Sequence, residues 1–533
     1  MSVTVGQFLV QLLAANGIET VFGIPGVHNL EAYRGIASSN LRHILVRHEQ
    51  GAGFAADGHA RAGGGVAAAF VISGPGLTNI LTAIGQAYSD SVPVLVIAST
   101  PARATLGKRW GVLHELRNQQ LLASGIFGVT RAARSATDVR DHLRACLASL
   151  RSGRTRPAYL EVPLDLLAET TTLVAERFSP PSPPPMPAAR QVAIAIENLG
   201  RAERPLLIVG GGACGAANEV LELVECLDAY VASTAAGKGI VPEDHPANLG
   251  ASLPYAPTQA LAAAADVILA IGTELSETDI YTGFRLPRGG RMIRVDVDPA
   301  KLADAYAAEV PIWGDARLTA GAIRRGLETR RGWRSAQGPA SAVRATIEAQ
   351  FTPQIRSLQR AIAALQAGLP DDAIVFSDMT QIAYFGNYAF RSDAPGRWHH
   401  PSGYGTLGFA LPAALGGKIA SPARAVVALA GDFGLQFTLG ELMTAVEARV
   451  SLPVVVWNNA ALGQIRDDMH SAGIPPTGVI GQNPDFQLLA RSYGAAATQV
   501  RDAAALTTAV RAALSEPRPT LIEIVAADFT ANP

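Results

Sequence analysis

The sequence predicts an α/β fold of three domains, each a mainly parallel sheet flanked by helices. Short β-rich runs alternate with amphipathic helical stretches in three successive blocks, as parallel strands joined by crossover helices require. Two stretches of different composition, one rich in proline and one in arginine, serine and glycine, separate the blocks. The 533 residues are 48% hydrophobic, enough for three full cores at about 150 residues each.

The first block, 1–175, has β-rich runs at 19–22, 41–46, 66–72 and 92–98, separated by glycine-rich turns. It stops at Pro180, Pro181, Pro183, Pro184, Pro185 and Pro187. These prolines continue neither a helix nor a strand ladder, so 176–189 is expected to be a semi-rigid linker. The second block, 190–327, opens with a run at 206–209 that leads into Gly210, Gly211 and Gly212, and continues with runs at 267–271 and 292–295. Segment 328–351 is expected to be an exposed connection, and a third block fills 352–533. The blocks do not repeat one another closely, which points to related domains rather than a solenoid.

Forty-four basic residues face 45 acidic ones, with no block of like charge of the kind that tracks a nucleic-acid backbone or an anionic membrane. Small molecules are the expected partners. Cys146, Cys214 and Cys226 show no pairing or metal-ligand spacing and suit core positions in a reducing compartment. The amino-terminal residues lack a signal-type flank, and no run of about 18 apolar residues follows. A cytoplasmic location is therefore expected.

The strongest local pattern begins with a strand at 425–430 feeding Gly431, Asp432, Phe433 and Gly434. A helical stretch with Leu439, Leu442, Met443 and Val446 follows, and then a strand at 452–457 ending in Asn458 and Asn459. In a right-handed βαβ unit both strands present their carboxyl ends to one sheet edge, so Asp432 and Asn459 should lie side by side. A carboxylate and an amide oxygen, completed by phosphate and water oxygens, suit Mg²⁺. The glycines would let backbone N–H groups approach phosphates. On spacing alone, Asp432 as a helix cap and Asn458–Asn459 as an ordinary turn remain open.

This Gly-Asp-x-Gly followed by Asn-Asn resembles the thiamine-diphosphate fingerprint of the acetolactate synthase and pyruvate decarboxylase superfamily, and the resemblance covers nearly the whole chain. It implies pyrimidine-binding, central and diphosphate-binding domains in that order. It further implies that Asp432, the Asn459 side chain and the Ala461 carbonyl hold Mg²⁺ against the cofactor diphosphate. Leu462, Gly463, Thr380 and Gln381 are expected beside the cofactor. Phe433 departs from the glycine common among relatives, which should alter packing more than metal binding.

In the first block, Arg47, His48, Glu49 and Gln50 join a strand to a helix of small residues. The resemblance implies that Glu49 hydrogen-bonds N1′ of the aminopyrimidine and is the acid/base that activates the cofactor. A first-turn carboxylate favoured by the helix dipole is the plain alternative. Gly74, Pro75, Gly76, Thr78 and Asn79 match the loop that touches the pyrimidine, with Pro75 and Asn79 expected in contact. In the run from Gly403 to Phe409, Leu407 matches the wedge between the two cofactor rings, and Gly405 supplies a carbonyl for the 4′-amino group. Because Glu49 and the metal site fall in different domains, the family arrangement implies a homodimer, or a dimer of dimers, with active sites shared between subunits.

Residues nearer the substrate bear on the reaction. Pro25 precedes Val27 and His28, and His28 resembles a histidine of carboligating lyases. His114 with Glu115 stands where acetolactate synthases carry Gln-Glu. The run from Leu462 to Met469 lacks the tryptophan-containing segment of those synthases and looks more like bacterial 5-guanidino-2-oxopentanoate decarboxylases. There Asp467 or Asp468 would pair with a guanidinium. Decarboxylation of a 2-oxo acid, non-oxidative and of a cationic substrate, is the expected activity, with carboligation to a second carbonyl as the alternative. A non-catalytic cofactor-binding scaffold would require loss of Glu49, Asp432 or Asn459, all of which are present. The Gly210–Gly212 triplet is a weak flavin signal, and 273–279 lacks the usual arginine-aspartate run, so FAD is not expected in the central domain.

Overall fold

The computed structural model describes residues 2–281, 285–329 and 332–531. Residues 282–284 of the expected central domain, 330 and 331 of the expected second connection, and both chain ends thus lie outside the described residues. Three parallel sheets, each flanked by helices, form three domains.

The amino-terminal sheet contains β1 (Thr20–Gly23), β2 (Arg42–Leu45), β3 (Ala67–Val71), β4 (Val94–Thr100), β5 (Val129–Ala132) and β6 (Ala158–Pro163), in the spatial order 2-1-3-4-6-5. Its neighbouring strands pair in parallel. β3, β4 and β6 are buried along their whole length, which is why they read as continuous apolar runs rather than alternating ones.

The central sheet contains β7 (Pro205–Val209), β8 (Tyr230–Ser233), β9 (Asn248–Gly250), β10 (Val267–Ile271), β11 (Arg291–Asp296) and β12 (Val310–Trp313), ordered 9-8-7-10-11-12. This is the doubly wound order, with its switch point between β7 and β10. At that point the Gly212 N–H donates to the Gly272 carbonyl at 3.0 Å. A Cβ on Gly212 would meet the Gly272 backbone at 2.9 Å. The glycine triplet is thus spent on the close approach of two loops.

Five strands of the six-stranded carboxy-terminal sheet, beside the edge strand Trp398–His399, are β13 (Ile374–Ser377), β14 (Val426–Gly431), β15 (Pro453–Asn458), β16 (Ala496–Val500) and β17 (Thr520–Val525), in the order 13-14-15-17-16 and parallel to one another.

The chain divides into two compact units that do not follow the three blocks. One contains the chain up to Ser182 with Gly368–Gln381 and Gly403–Ala526; the other contains Pro183–Ala367, Ile382–Ser402 and the chain from Ala527. The first and third sheets therefore share a unit, and the helix Pro353–Ala367, expected to open the third block, belongs with the central sheet. Segment 328–351 is also not the exposed connection expected. It carries the helices Trp333–Gln337 and Ala340–Glu348, with Trp333, Ala340 and Ile347 buried. Its polar composition hid three apolar anchors divided between two short helices.

What joins the outer sheets is a pair of small-residue helices, α1 (Glu49–His59) and α3 (Ala410–Ala420); α2 (Pro75–Ser89) lies beside them. A Cβ on Gly58 would overlap the Ala413 carbonyl, and one on Gly416 would overlap the Ala55 carbonyl. The helices cross at these residues, and beyond the crossing Gly64 lies against Ala420 while the Ser421 hydroxyl donates to the Ala62 carbonyl, so their carboxyl ends lie on the same side. Around the carboxyl end of α1, Arg61 pairs with Asp57 at 2.6 Å and Asp90 at 2.7 Å. Asp90 also accepts from the Gly403 N–H at 2.8 Å, and Gln86 accepts from Thr406 through both its N–H and its hydroxyl. Burial pushes the Asp57 carboxyl up, and the Arg61 guanidinium opposes the shift.

Gly58→Ala should be destabilising by about 1–3 kcal/mol, because a methyl has no space at the crossing. A thermal melt matching that of the unaltered protein would count against this packing.

Candidate active site

β14 ends in Gly431, and α4 (Asp432–Phe437) starts on the next residue. A break at Thr438–Gly440 separates it from α5 (Glu441–Glu447), which carries Leu442, Met443 and Val446 of the expected helical stretch, while Leu439 lies in the break. Asp432 is 2% exposed, and its Oδ2 accepts from the Asn483 amide at 2.6 Å. Asn483 donates also to Asn458 Oδ1 at 2.9 Å, which ties the ends of β14 and β15 together. Burial pushes the Asp432 carboxyl up, while Asn483 and the N–H groups of Phe433 and Ala460 favour its charged form.

The turn after β15 is strained. Ala460 adopts φ +50, a conformation costly for a residue with a Cβ. Segment 479–481 clamps it: Leu462 donates to the Val479 carbonyl at 2.8 Å, and Gly481 donates to the Ala460 carbonyl at 3.1 Å. The Phe433 ring lies where a Cβ on Gly481 would come within 2.7 Å, so the residue that departs from the common glycine packs on this clamp.

Asn459 donates to Gln381 Oε1 at 3.2 Å, and Gln381 donates to Asp467 Oδ2 at 2.8 Å. A Cβ on Gly463, the first residue of α6 (Gly463–Ser471), would come within 2.5 Å of both Asn459 and Gln381. One on Gly431 would lie 2.9 Å from the Thr380 hydroxyl. Thr380, Gln381, Gly431, Asp432, Gly434, Asn459, Gly463 and Asp467 therefore converge at one sheet edge. Asp378, not singled out in the sequence, holds the adjoining loop. It accepts from the N–H groups of Gly408 and Ala410, and burial pushes its carboxyl up to about 6. Gly405 and Gly408 both have positive φ, at +70 and +84, and Leu407 between them is only half buried.

A second convergence forms at the carboxyl edge of the amino-terminal sheet. Glu49 begins α1, is 8% exposed, and accepts from the Asn79 amide at 2.9 Å. Pro75 is the first residue of α2, after Gly74 at φ +62. The Gly74 N–H donates to Gln119, whose own amide donates to the Tyr159 hydroxyl, which in turn donates to Glu161. His28 Nδ1 lies 2.7 Å from the Ser73 hydroxyl, and its ring stands 5.0 Å from that of His114, edge to face. Burial, and secondarily His114, hold the His28 imidazole below its ordinary value. Pro25 sits exposed beside this pair. Two histidines 86 residues apart thus become neighbours, a pairing that spacing could not show.

The two convergences sit at different levels of α2: Asn79 donates to Glu49, and Gln86, seven residues or about 10 Å further along the helix, accepts from Thr406.

Two glycine-cradled sheet edges, one carrying a buried carboxylate on a helix start and the other an Asp-Asn pair, define an enzyme that works through thiamine diphosphate. The chain belongs to the thiamine pyrophosphate enzyme family: the N-terminal TPP binding domain matches at 3–122, the central domain at 192–323 and the C-terminal TPP binding domain at 378–524. It is 46% identical to a probable 2-ketoarginine decarboxylase, AruI, of Pseudomonas aeruginosa, over 98% of this chain and 94% of that protein. It is 30% identical to the acetolactate synthase isozyme 3 large subunit of Escherichia coli, over 96% and 92%. A probable acetolactate synthase large subunit of Methanocaldococcus jannaschii is 29% identical, over 97% and 91%.

The donor set fits the metal this cofactor takes. Among the described residues no group of three or more His, Cys, Asp or Glu forms a metal cage. One buried carboxylate with neutral oxygens nearby is instead what Mg²⁺ takes when phosphate and water supply the remainder. Among the described residues, no helix is long and apolar enough to cross a membrane.

Asn483→Ala would leave Asp432 without its orienting donor. It should weaken Mg²⁺-dependent cofactor binding by about 10–100-fold, the usual cost of losing a partner that orients a metal ligand. Titration of the apoprotein with Mg²⁺ and thiamine diphosphate, followed by tryptophan fluorescence, measures it.

Proposed function

We propose that this enzyme decarboxylates a long cationic 2-oxo acid of the 5-guanidino-2-oxopentanoate type. The observation that carries the reading is the chain-length likeness to the Pseudomonas aeruginosa protein named for 2-ketoarginine, together with a carboxylate pair on α6 directly after the metal turn. Asp467 is committed: its Oδ1 takes the Arg466 guanidinium at 3.0 and 2.9 Å and its Oδ2 takes Gln381. Asp468 is exposed and accepts only from Gln464, through Oδ1. Of the two, Asp468 is thus the partner for a substrate guanidinium, and Asp467 orients the metal turn.

In this reading Asp432, Asn459 and the Ala461 carbonyl hold Mg²⁺, and Thr380, Gly431, Gly434, Leu462 and Gly463 line the diphosphate. Pro25, Pro75 and Asn79 flank the pyrimidine, Leu407 wedges the rings apart, and Gly405 accepts from the 4′-amino group. The bound cofactor supplies a carbon nucleophile and a sink for the electron pair left when CO₂ departs. Glu49 holds or moves the proton at N1′, and Asn79 fixes the carboxylate that does so. His28, kept neutral by burial, can accept a proton at the substrate edge without repelling a cation there, and His114 packs against it.

The separation of Glu49 from Thr406 along α2 supports a further step. Each active site is assembled from two copies of the chain, Glu49 from one and the metal turn from the other, in a homodimer or a dimer of dimers. The exposed Val27, Trp110 and Leu113 on the first edge, and Phe437, Ile465 and Ile480 on the second, are the apolar surface such an assembly covers.

Glu49→Gln should retain cofactor but slow exchange of the cofactor C2 proton by about 10²-fold or more, read by quenched-flow NMR. Mass spectrometry of products from a panel of 2-oxo acids should show the aldehyde from the guanidino acid, with pyruvate turned over poorly and Asp468→Ala losing the preference. Acetohydroxy acid products would overturn decarboxylation in favour of carboligation. A fully active monomer in analytical ultracentrifugation would remove the shared site.

A further inference from the structure

The two halves of the first unit touch at a buried carboxylate that the mechanism above does not use. Glu441, the first residue of α5, is 1% exposed. Its Oε1 accepts from the backbone N–H groups of Arg47 at 3.0 Å and His48 at 3.1 Å, and its Oε2 accepts from the Thr444 hydroxyl at 2.7 Å. A Cβ on Gly51 would overlap this carboxylate. Arg47 also reaches Glu447 on the same helix at 2.6 Å. The segment from Arg47 to Gly51 is the junction of β2 and α1 that carries Glu49. Inside the amino-terminal domain, among the described residues, its backbone has one other side-chain anchor, His48 Nδ1 accepting from Gln50 N–H at 3.1 Å.

We infer that Glu441 is a positioning residue for Glu49: it fixes the start of α1 from the carboxy-terminal domain, so that the activating carboxylate is presented in one orientation. The inference rests on the role proposed above for Glu49. The physical case is the cost of the alternative. A fully buried carboxylate is expensive unless its charge is met by donors, and here the donors are two adjacent N–H groups with no strand partner in the sheet. A carboxylate at this place also faces the positive end of the α1 dipole, which favours negative charge. Both groups gain only when the junction takes this one shape, so the contact selects a geometry as well as adding stability. The glycine at 51 follows from the same contact, because a side chain there would push Glu441 off both N–H groups.

The test uses the full-length chain with three substitutions. In Glu441→Ala, hydrogen–deuterium exchange of the apoprotein should rise about tenfold at the amides of Arg47 and His48, the effect of losing a charge-assisted acceptor. Exchange of the C2 proton in the reconstituted holoenzyme should slow by a similar factor, with thiamine diphosphate and Mg²⁺ affinity unchanged. Glu441→Gln, whose amide oxygen accepts both N–H groups, should restore both rates. Gly51→Ala, which displaces Glu441 without removing it, should reproduce the alanine phenotype and serves if Glu441→Ala does not fold. Amide exchange unaltered in Glu441→Ala, or in Gly51→Ala where it stands in, overturns the inference. So does C2 exchange unaltered in those variants while Glu49→Gln is slow. If Glu49→Gln itself leaves C2 exchange unchanged, the proposed role of Glu49 falls and this inference with it, a pattern distinct from the failure of Glu441 alone.

Discussion

The crossing of α1 and α3 is the constraint on which the catalytic layout depends. Glycine and alanine at the contact let two helix backbones approach until a single methyl would collide. At that separation the helices cannot slide or rotate without losing the contact, as expected where small residues line an interface at interior packing density. Each helix carries a functional element at its amino-terminal end, Glu49 on α1 and the Gly405–Gly408 loop before α3. α2, beside the pair, meets those elements at different levels, Glu49 through Asn79 and the loop through Gln86 seven residues further on.

The buried polar groups around this crossing are satisfied in pairs that span the two sheets. At one end Arg61, Asp57, Asp90 and Gln86 meet the backbone of Gly403 and Thr406. At the other, Glu441 meets the backbone of Arg47 and His48. Neither set is an isolated surface ion pair of small worth. Each ties a side chain of one domain to main-chain N–H groups of the other, and removing a member would leave a buried donor or charge unmatched. Packing sets the distance between the helices, and these polar ends set their register.

Much of the fold and part of the site were legible in the sequence, and what separates the legible from the hidden is range. The strand at 267–271 falls where the apolar pattern put it, because a fully buried parallel strand leaves a strong local signal. Asp432 and Asn459 were readable because one βαβ unit brings them to the same edge. Asn483, which orients Asp432 from 51 residues away, and Glu441, which reaches 394 residues back to Arg47, left no local trace. The helices at Trp333 and Ala340 were obscured by polar neighbours. Leu439 was read into the helix because it keeps the apolar spacing of Leu442 and Val446, but it lies in the break at Thr438–Gly440, where the Thr438 hydroxyl donates to the Gly408 carbonyl.

The adjacent acids on α6 show why composition alone assigns a substrate poorly. Asp467 and Asp468 are equivalent in sequence, and both sit within about 8 Å along the helix axis from Gly463. Their surroundings divide them. The neighbouring Arg466 and the Gln381 amide take both oxygens of Asp467, which leaves it no capacity for a bidentate guanidinium. That commitment runs from Gln381 on to Asn459, so Asp467 serves the metal turn. Asp468, one residue further and rotated about 100° around the helix, escapes this network and keeps an oxygen facing solvent. On the proposed function, a single helix start would hold the turn that carries Asn459 with one carboxylate and meet a cationic substrate with the next, provided that the first is neutralised by its own arginine. Arg466 does that: without it, two unpaired carboxylates would repel a diphosphate bound beside them.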